Sequence, residues 1–448
     1  MISYLRKFSL VTAAFLLFVS AAAAQDGRID NIAEQAASVT EFDVNGLKVL
    51  VKRRASAPTV AAGLFIRGGA RNIDEKNAGI ENLMLNSAVE ASTKFPRQVV
   101  RREISRAGSS MGAAAGIDYS AVSLVSTRQN FDRMWDIFTA VTLDPAFAPQ
   151  DVERVRQMIL TGLREAEISP DAALGALEDR VVNAGHPYAN QVSGTISTIG
   201  AFTPADLRAY HKSIMQTSRL LLVVVGDVDA NTLKARVAAS FGKLPRGDYK
   251  ETPYPPLDFS KSTLDVVPRN LQTNYVKGVF SAPALNSPDY SAMRVAMSIL
   301  QERVNEEVRV RRQLSYAPNA ELNSNAANTA NIYVTAVDAN TAVKVMLNEI
   351  QNLKSRAVEE EQIDGMAGQF LTNYYLRQET NAAQAGELAK YELIGGGWRN
   401  SFEFLNRIRA VTPAQVREVS NKYMKNLRFV VIGSPAAIDR NVFVAGNR

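Results

Sequence analysis

The pattern of hydrophobic and polar positions predicts strands followed by helices within one continuous region. Residues 42–52 read as two short strands joined by Asn45 and Gly46, the strongest short signal for a β-hairpin. Residues 60–67 have the β-branched and apolar content of a third strand, and residues 121–126 alternate like a half-buried strand. Apolar residues three and four apart predict helices over residues 79–92, 97–107, 130–143 and 149–167.

A helix-to-strand unit occurs twice. The first copy begins at Thr203 and ends in an apolar strand at Gly226, and the second begins at Thr412 and ends at Gly433. In each copy a proline follows the threonine, so a capping hydroxyl precedes the first helical turn. The two helix starts are 209 residues apart and the two glycines 207. We therefore predict two homologous halves.

The region between the two copies is typical of a linker. Residues 244–257 are rich in proline and charge and show no hydrophobic periodicity. A chain of 448 residues is also too long for one ordinary core. We predict an N-terminal domain over residues 25–243, a linker over 244–260 and a C-terminal domain over 261–448, each of the α+β class.

Residues 1–24 have the pattern of a cleavable signal peptide. Arg6 and Lys7 precede a largely apolar stretch, and small residues follow it up to Ala24, where cleavage is predicted. The apolar stretch is short for a membrane span, and no later stretch approaches about twenty uncharged apolar residues. A single uncleaved anchor helix is the alternative. We expect a periplasmic or otherwise exported protein without a membrane span after cleavage.

Charge and composition exclude several functions. Lys and Arg number 51 against 45 Asp and Glu, and no basic run of the nucleic-acid-binding kind is present. Nucleic acid is therefore not an expected partner. The chain has no cysteine and two histidines, His186 and His211, so it lacks the residues for a Cys/His zinc site. His186 precedes a proline and His211 lies in a predicted helix, and structural roles are favoured for both.

Several motifs resemble the insulinase-like (M16) metallopeptidases. They are GLFIRGGAR at residues 63–71, GIENLMLN at 79–86, AGHPY at 184–188 with GTISTI at 194–199, and the first copy of the repeat. The resemblance covers nearly the whole mature chain, and the two-half layout is similar to the M16B branch. It implies two M16-type domains, each a mainly antiparallel sheet packed with helices, facing each other across a cleft.

The M16 zinc motif, H-x-x-E-H, falls on positions that lack its chemistry. The two histidines align with Asn82 and Asn86, and the general-base glutamate aligns with Leu85. The family's third ligand, a glutamate, aligns with Thr161 or, better, with Gly162. Zinc needs imidazole, thiolate or carboxylate donors. The resemblance thus implies a degenerate zinc site and no metal in this chain, and the residues alone read as an amphipathic helix.

A second family motif is kept. Residues 298–312 predict a helix that leads into a strand, and Arg309 to Tyr316 resemble the C-domain motif R-x-x-x-x-L-x-Y. In the family this arginine and tyrosine reach the substrate near the zinc, which implies that Arg309 binds peptide carbonyls and Tyr316 donates to the developing oxyanion. On residue types alone, the segment would be a solvated basic helix end with a core aromatic. Arg311 and Arg312 are expected to be solvated.

Three functions compete at this point. The chain is expected to be the non-catalytic, substrate-binding subunit of an exported heterodimeric M16B peptidase. It would act on a peptide or unfolded polypeptide beside a paralogue that bears H-x-x-E-H and the zinc. The alternative is a peptide-binding or scaffold protein without a peptidase partner, like M16-derived core subunits of respiratory complexes. A self-sufficient hydrolase with an unusual site is the least favoured.

Overall fold

The computed structural model describes residues 32–444, so the predicted signal peptide lies outside the described residues. The strands of the described part are β1 (Val39–Val44), β2 (Leu47–Arg53), β3 (Thr59–Arg67), β4 (Ser110–Ala114), β5 (Tyr119–Thr127), β6 (Leu220–Gly226), β7 (Thr263–Pro268), β8 (Asn274–Ser281), β9 (Asn319–Leu322), β10 (Thr329–Ala336) and β11 (Arg428–Gly433).

Helices surround these strands in both halves. They are α1 (Ile32–Ala37), α2 (Ile80–Ala88), α3 (Arg97–Arg106), α4 (Phe131–Leu143), α5 (Pro149–Ile168), α6 (Pro170–Val181), α7 (Ile196–Ala201), α8 (Pro204–Ile214), α9 (Ala230–Ala239), α10 (Tyr290–Val304), α11 (Ala339–Ser355), α12 (Glu360–Arg377), α13 (Asn381–Ile394), α14 (Asn400–Arg409), α15 (Pro413–Tyr423) and α16 (Arg440–Val444). Within the described residues, no helix is long and apolar enough to cross a membrane.

The strands form two sheets that repeat one another. The first has the order β1-β2-β6-β3-β5-β4 and the second has the order β7-β11-β8-β10-β9. The pairs β2 with β6 and β7 with β11 are parallel, and the remaining pairs are antiparallel. The predicted α+β class with a mainly antiparallel sheet in each half is confirmed. The second sheet lacks only a counterpart of β1.

The two copies of the repeat occupy equivalent places. Thr203 caps α8 and Thr412 caps α15, each through a reciprocal capping box with the residue three positions later. The strand that follows, β6 or β11, then pairs in parallel with one neighbour and antiparallel with the other. The β1–β2 hairpin is also confirmed, because Asn45 and Gly46 both have positive φ angles, as its turn requires.

Two predicted boundaries differ from the structure. The helix predicted over residues 79–92 ends at Ala88, because Ser92 forms a bridge with Pro145 and its hydroxyl accepts a hydrogen bond from the Phe95 amide. The helix predicted over residues 298–312 is α10 followed by a π-helical turn, Asn305–Arg311. Hydrophobic spacing cannot reveal either feature.

Each half covers the other half's sheet with one helix. Helix α13 of the C-terminal half places Leu388 and Ala389 against the face of the first sheet that carries Leu50 and Val223. Helix α6 of the N-terminal half places Leu174 and Leu177 against the second sheet. Fully burying one such leucine stabilises the structure by roughly 1.5–3 kcal/mol. The two halves therefore share apolar cores in addition to their own.

Polar contacts reinforce both helix-to-sheet interfaces. Lys277 on β8 lies 2.5 Å from the Glu178 carboxylate on α6, and Lys48 on β2 lies 2.6 Å from the Glu392 carboxylate on α13. The linker carries no regular element between the two sheets, and its Tyr254 hydroxyl donates to the Ile117 carbonyl at 2.7 Å. The exact domain boundaries given above stay predictions.

Candidate functional site

The degenerate site (Asn82, Leu85, Asn86 and Gly162) lies where α2 packs against α5. Asn82 and Asn86 lie one turn apart on the same side of α2, as predicted. The Asn86 side-chain nitrogen donates to the Asn82 side-chain oxygen at 2.9 Å, and also to the Asn82 backbone carbonyl at 2.9 Å. The Asn82 amide nitrogen donates to the Ser193 carbonyl at 3.3 Å. Asn86 thus occupies the side-chain oxygen of Asn82, and Ser193 accepts from its nitrogen.

The other two positions, Leu85 and Gly162, provide no side-chain atom that could bind a metal. Leu85 is 2 % exposed and belongs to the core of the N-terminal half. Gly162 lies on an exposed part of α5, where an added Cβ would meet only open space. Two neutral amides, a leucine and a glycine do not fit zinc, which takes imidazole, thiolate or carboxylate ligands. Across residues 32–444, no group of three or more His, Cys, Asp or Glu side chains could hold a metal.

A buried carboxylate beside the degenerate site was missed by the sequence analysis. Glu81 is 1 % exposed, and its Oε2 accepts a hydrogen bond from the Tyr210 hydroxyl at 2.5 Å. The Ser120 hydroxyl donates to its Oε1. Burial and the Glu81 charge raise the pKa of Tyr210, so this hydroxyl stays a donor. The available signal was a glutamate at a core-facing helix position, which the amphipathic pattern alone does not explain.

Arg309 and Tyr316 form the second part of the candidate site. Buried Val308 anchors the π-helical turn that carries Arg309, and the Leu314 amide donates back to the Val308 carbonyl at 2.8 Å. Between them Gln313 has a φ of 54°, an unusual conformation for a residue other than glycine. This turn brings the Arg309 guanidinium within 4.8 Å of the centroid of the Tyr316 ring. Tyr316 is 85 % exposed and is not a core aromatic.

The neighbouring arginines form ion pairs, whereas Arg309 forms none within residues 32–444. Arg311 pairs with Glu306 at 3.0 Å and with Glu307 at 2.9 Å, and Arg312 also pairs with Glu307. Both side chains are exposed, as expected, although each has an acidic partner. In the described part of the chain, Arg309 has no ion pair or hydrogen bond, so its donors are available to a ligand.

The structure does not join the two parts of the candidate site. No hydrogen bond, ion pair or ring contact within residues 32–444 connects Arg309 or Tyr316 with the degenerate site. The first part lies on α2 and α5 of the N-terminal half, and the second follows α10 of the C-terminal half. Within the described residues, the exposed Arg309–Tyr316 pair therefore has no direct contact with the degenerate site.

The two histidines bind backbone groups. The His186 Nδ1 accepts from the Tyr188 amide at 3.1 Å, so Nε2 carries the proton that it donates to the Pro255 carbonyl at 2.9 Å. The His211 Nε2 lies 2.8 Å from the Thr142 carbonyl. Burial lowers the pKa of both imidazoles. These contacts agree with the structural roles expected for both.

Comparison with known proteins places the fold and the site in a family. The family model described as "Insulinase (Peptidase family M16)" matches residues 48–195, and that described as "Peptidase M16 inactive domain" matches residues 201–370. The crystal structure of a protease from Helicobacter pylori superimposes with a TM-score of 0.81 at 17 % identity, over 88 % of this chain and 99 % of that one.

The alignments with three curated relatives cover most of this chain and most of each relative. An uncharacterized zinc protease of Mycobacterium leprae is 21 % identical over 92 % of this chain and 95 % of its own length. Mitochondrial-processing peptidase subunit beta of Caenorhabditis elegans is 21 % identical over 84 % and 85 %, respectively. Cytochrome b-c1 complex subunit 1 of the same organism is 24 % identical over 87 % and 86 %.

The tandem α+β halves and the positions of the two motifs define the class as a two-domain peptidase-type fold. The chain belongs to the insulinase-like M16 peptidase family. It has M16-type domains in both halves. The four positions that were aligned with the M16 zinc site in the sequence analysis carry no histidine, cysteine or carboxylate.

Proposed function

We propose that this chain is the non-catalytic, substrate-binding subunit of an exported heterodimeric M16B zinc metallopeptidase. The observation that carries the proposal is a contrast between the two motifs. The positions aligned with the zinc ligands and the general base carry none of that chemistry, while Arg309 and Tyr316 match the second motif, are exposed and have no acidic partner among residues 32–444. Donors of this kind can act on a substrate held at a zinc site in another chain.

The two side chains suit different tasks. A guanidinium presents several fixed donors and binds peptide carbonyls before the reaction begins. A phenol hydroxyl donates one hydrogen bond and is suited to the oxygen that gains charge when the carbonyl carbon is attacked. Tyr316 would therefore contribute mainly to turnover, and Arg309 to substrate binding as well as turnover. The zinc and general base would come from a paralogue bearing H-x-x-E-H.

An open strand edge supports peptide binding. Strand β4 lies at the end of the first sheet, next to α2, and consists of Ser110, Met111, Gly112, Ala113 and Ala114. Apart from Met111 these side chains are small, so they leave the unpaired backbone groups of the edge accessible. An extended peptide can add to an exposed edge as a further strand. This feature serves both the peptidase-subunit proposal and its alternative.

The alternative is a peptide-binding or scaffold protein of M16 origin without peptidase activity. It is favoured by the similarity to a cytochrome b-c1 complex subunit over 87 % of this chain, because the name of that relative describes a subunit of a complex and not a peptidase. The two functions differ in whether a partner with H-x-x-E-H exists.

Purification of the tagged chain from its native cell tests the proposal. We expect an M16 paralogue with H-x-x-E-H to co-purify in a one-to-one complex, and peptidase activity to require both chains. The same purification with the variant Arg309→Ala should retain the partner, since that side chain would face substrate. Recovery of the chain alone, or with proteins that lack the motif, would contradict the proposal and favour the scaffold function.

A further inference from the structure

A cavity of about 270 Å³ lies inside the C-terminal half. Its walls come from α10, α12, α13 and α14, and from β9 with the two residues that follow it. It shares no lining residue with the degenerate site or with the Arg309–Tyr316 pair. Its place corresponds to the degenerate site in the other half, because α10, α12 and β9 repeat the order and positions of α2, α5 and β4.

Aromatic side chains form much of the cavity wall. Phe370 and Phe404 lie edge to face with ring centroids 6.2 Å apart, and Tyr374 and Tyr391 are largely buried. No residue of the described chain accepts or donates a hydrogen bond at the Tyr374 or Tyr391 hydroxyl. Burial raises the pKa of Tyr374 to about 12, so its hydroxyl keeps its proton at neutral pH. The wall thus combines apolar area with two free donors.

Two guanidinium groups in this cavity have no acidic partner within the described residues. Arg294 is half-buried and contacts the Phe370 ring, with 5.6 Å between the guanidinium carbon and the ring centroid. Arg377 is exposed at the end of α12. The carboxylate of Glu387 pairs with Lys390 at 3.3 Å, so those two charges compensate one another. Glu321, exposed on β9, is the remaining acid, which leaves the lining with a net positive charge.

These features select a class of ligand. A half-buried guanidinium without a partner is unfavourable, and an incoming carboxylate relieves it through short, charge-assisted hydrogen bonds. The arginine fork matches a carboxylate better than a single point charge would. An adjacent aromatic or large apolar side chain would then pack on Phe370 and Phe404.

We propose that this cavity is a second peptide-anchoring subsite, which binds a carboxylate-bearing peptide residue next to an aromatic one. Arg294 and Arg377 would bind the carboxylate, and the Tyr374 and Tyr391 hydroxyls would donate to peptide oxygens. The naming of a peptide as the ligand rests on the proposed function, whereas the preference for a carboxylate rests on the cavity alone. The carboxylate can belong to an acidic side chain or to a free C-terminus.

Calorimetric titration of the full mature chain with three acetylated tetrapeptides tests the proposal. The peptides are Ala-Ala-Phe-Glu with an amidated end, Ala-Ala-Phe-Gln with a free end, and Ala-Ala-Phe-Gln with an amidated end. We expect at least one of the first two to bind roughly 10- to 100-fold more tightly than the third, as for the gain of a charged hydrogen bond. The tighter of the two identifies the source of the carboxylate. Equal binding of all three, or none, would overturn the proposal.

Variants of the two cavity arginines, with a matched control, test whether the carboxylate preference arises in this cavity. Arg294→Gln and Arg377→Gln should each weaken binding of the preferred peptide roughly 10-fold or more. Arg417→Gln removes an exposed positive charge from α15 and should leave binding unchanged. Tyr374→Phe keeps the ring and should weaken binding less than either cavity arginine variant. Circular dichroism melting confirms that each variant is folded. An equal loss in Arg417→Gln would show a general charge effect and refute the subsite.

The assay separates this inference from the proposed function. It measures equilibrium binding to one chain, and it needs neither the partner nor turnover. If the chain shows no carboxylate preference but Tyr316→Phe lowers turnover in the heterodimer, only the subsite proposal is refuted. If the chain prefers a carboxylate but Tyr316→Phe leaves turnover unchanged, the subsite proposal stands and the catalytic role of Tyr316 is refuted.

Discussion

Replacing Leu85 with the glutamate of the M16 motif should destabilise the protein strongly. Leu85 is 2 % exposed and lines a void of about 10 Å³ with Ile66, Val122 and Val141, which leaves no room for hydrating a carboxylate. The titratable group in that lining is His211, whose Nε2 already lies 2.8 Å from the Thr142 carbonyl. Leu85→Glu therefore buries a charge without a ready partner.

The expected loss of stability in Leu85→Glu has two contributions. Loss of the leucine's apolar burial costs about 2–3 kcal/mol. A buried carboxyl group with a pKa raised by about 2–3 units costs a further 3–4 kcal/mol at neutral pH. The sum, about 5–7 kcal/mol, approaches the whole stability of an ordinary domain. Because the folded pKa would be raised, the variant should lose stability as pH rises above about 4.3, the value of a free glutamate.

Urea denaturation at two pH values measures the effect. Leu85→Gln is the matched control, since it has the same shape without the charge and should show no comparable pH dependence. The triple variant N82H/L85E/N86H should accordingly give no robust peptidase, and it would still lack a ligand at Gly162. A loss below about 1 kcal/mol for Leu85→Glu, or efficient turnover by the triple variant, would refute our placement of Leu85 in the core.

Three further predictions concern metal, pH and capping. After mild dialysis, elemental analysis of the isolated chain should find no stoichiometric zinc, because Asn82, Leu85, Asn86 and Gly162 carry no side chain that zinc prefers as a ligand. One zinc per chain would contradict this. Burial lowers the pKa of His211 below its usual 6.5. The free energy of unfolding should therefore fall as pH drops through 6.5, by up to about 1.4 kcal/mol per pH unit. In urea titrations, His211→Gln should reduce this pH dependence. Thr203→Ala and Thr412→Ala should each lower the free energy of unfolding by about 1 kcal/mol, because both threonines cap equivalent helices. A loss confined to one of the two variants would argue against the equivalence of the two copies.

Local signals predicted much of the fold. The Asn45-Gly46 turn and the two Thr-Pro helix starts act through neighbouring residues, so they can be found without tertiary information. The mainly antiparallel sheet in each half followed from the family resemblance, whereas the strand order is known only from the structure. The exchange of α6 and α13 between the halves could not be predicted, because amphipathic spacing shows that a face is buried and not which sheet buries it.

The candidate site was predicted unevenly. Asn82 and Asn86 were placed together because helix geometry fixes residues four apart, and the structure adds the hydrogen bond between them. The stacking of Arg309 on Tyr316 depends on a π-helical turn and on the positive φ of Gln313, which residue types do not signal. Glu81 was missed because its hydroxyl partners, on β5 and α8, are distant in sequence.

The turnover of a reconstituted heterodimer tests the central claim most directly. If Tyr316 donates to the developing oxyanion, Tyr316→Phe should lower kcat on the order of a hundredfold, about 3 kcal/mol, with little change in KM and in the size of the complex. Arg309→Ala should raise KM as well as lower kcat, since its contacts to the peptide exist before the reaction. Tyr375→Phe is the matched control, because this tyrosine is also exposed but lies on α12. Full kcat for Tyr316→Phe in an intact complex would contradict the catalytic role and leave the scaffold function.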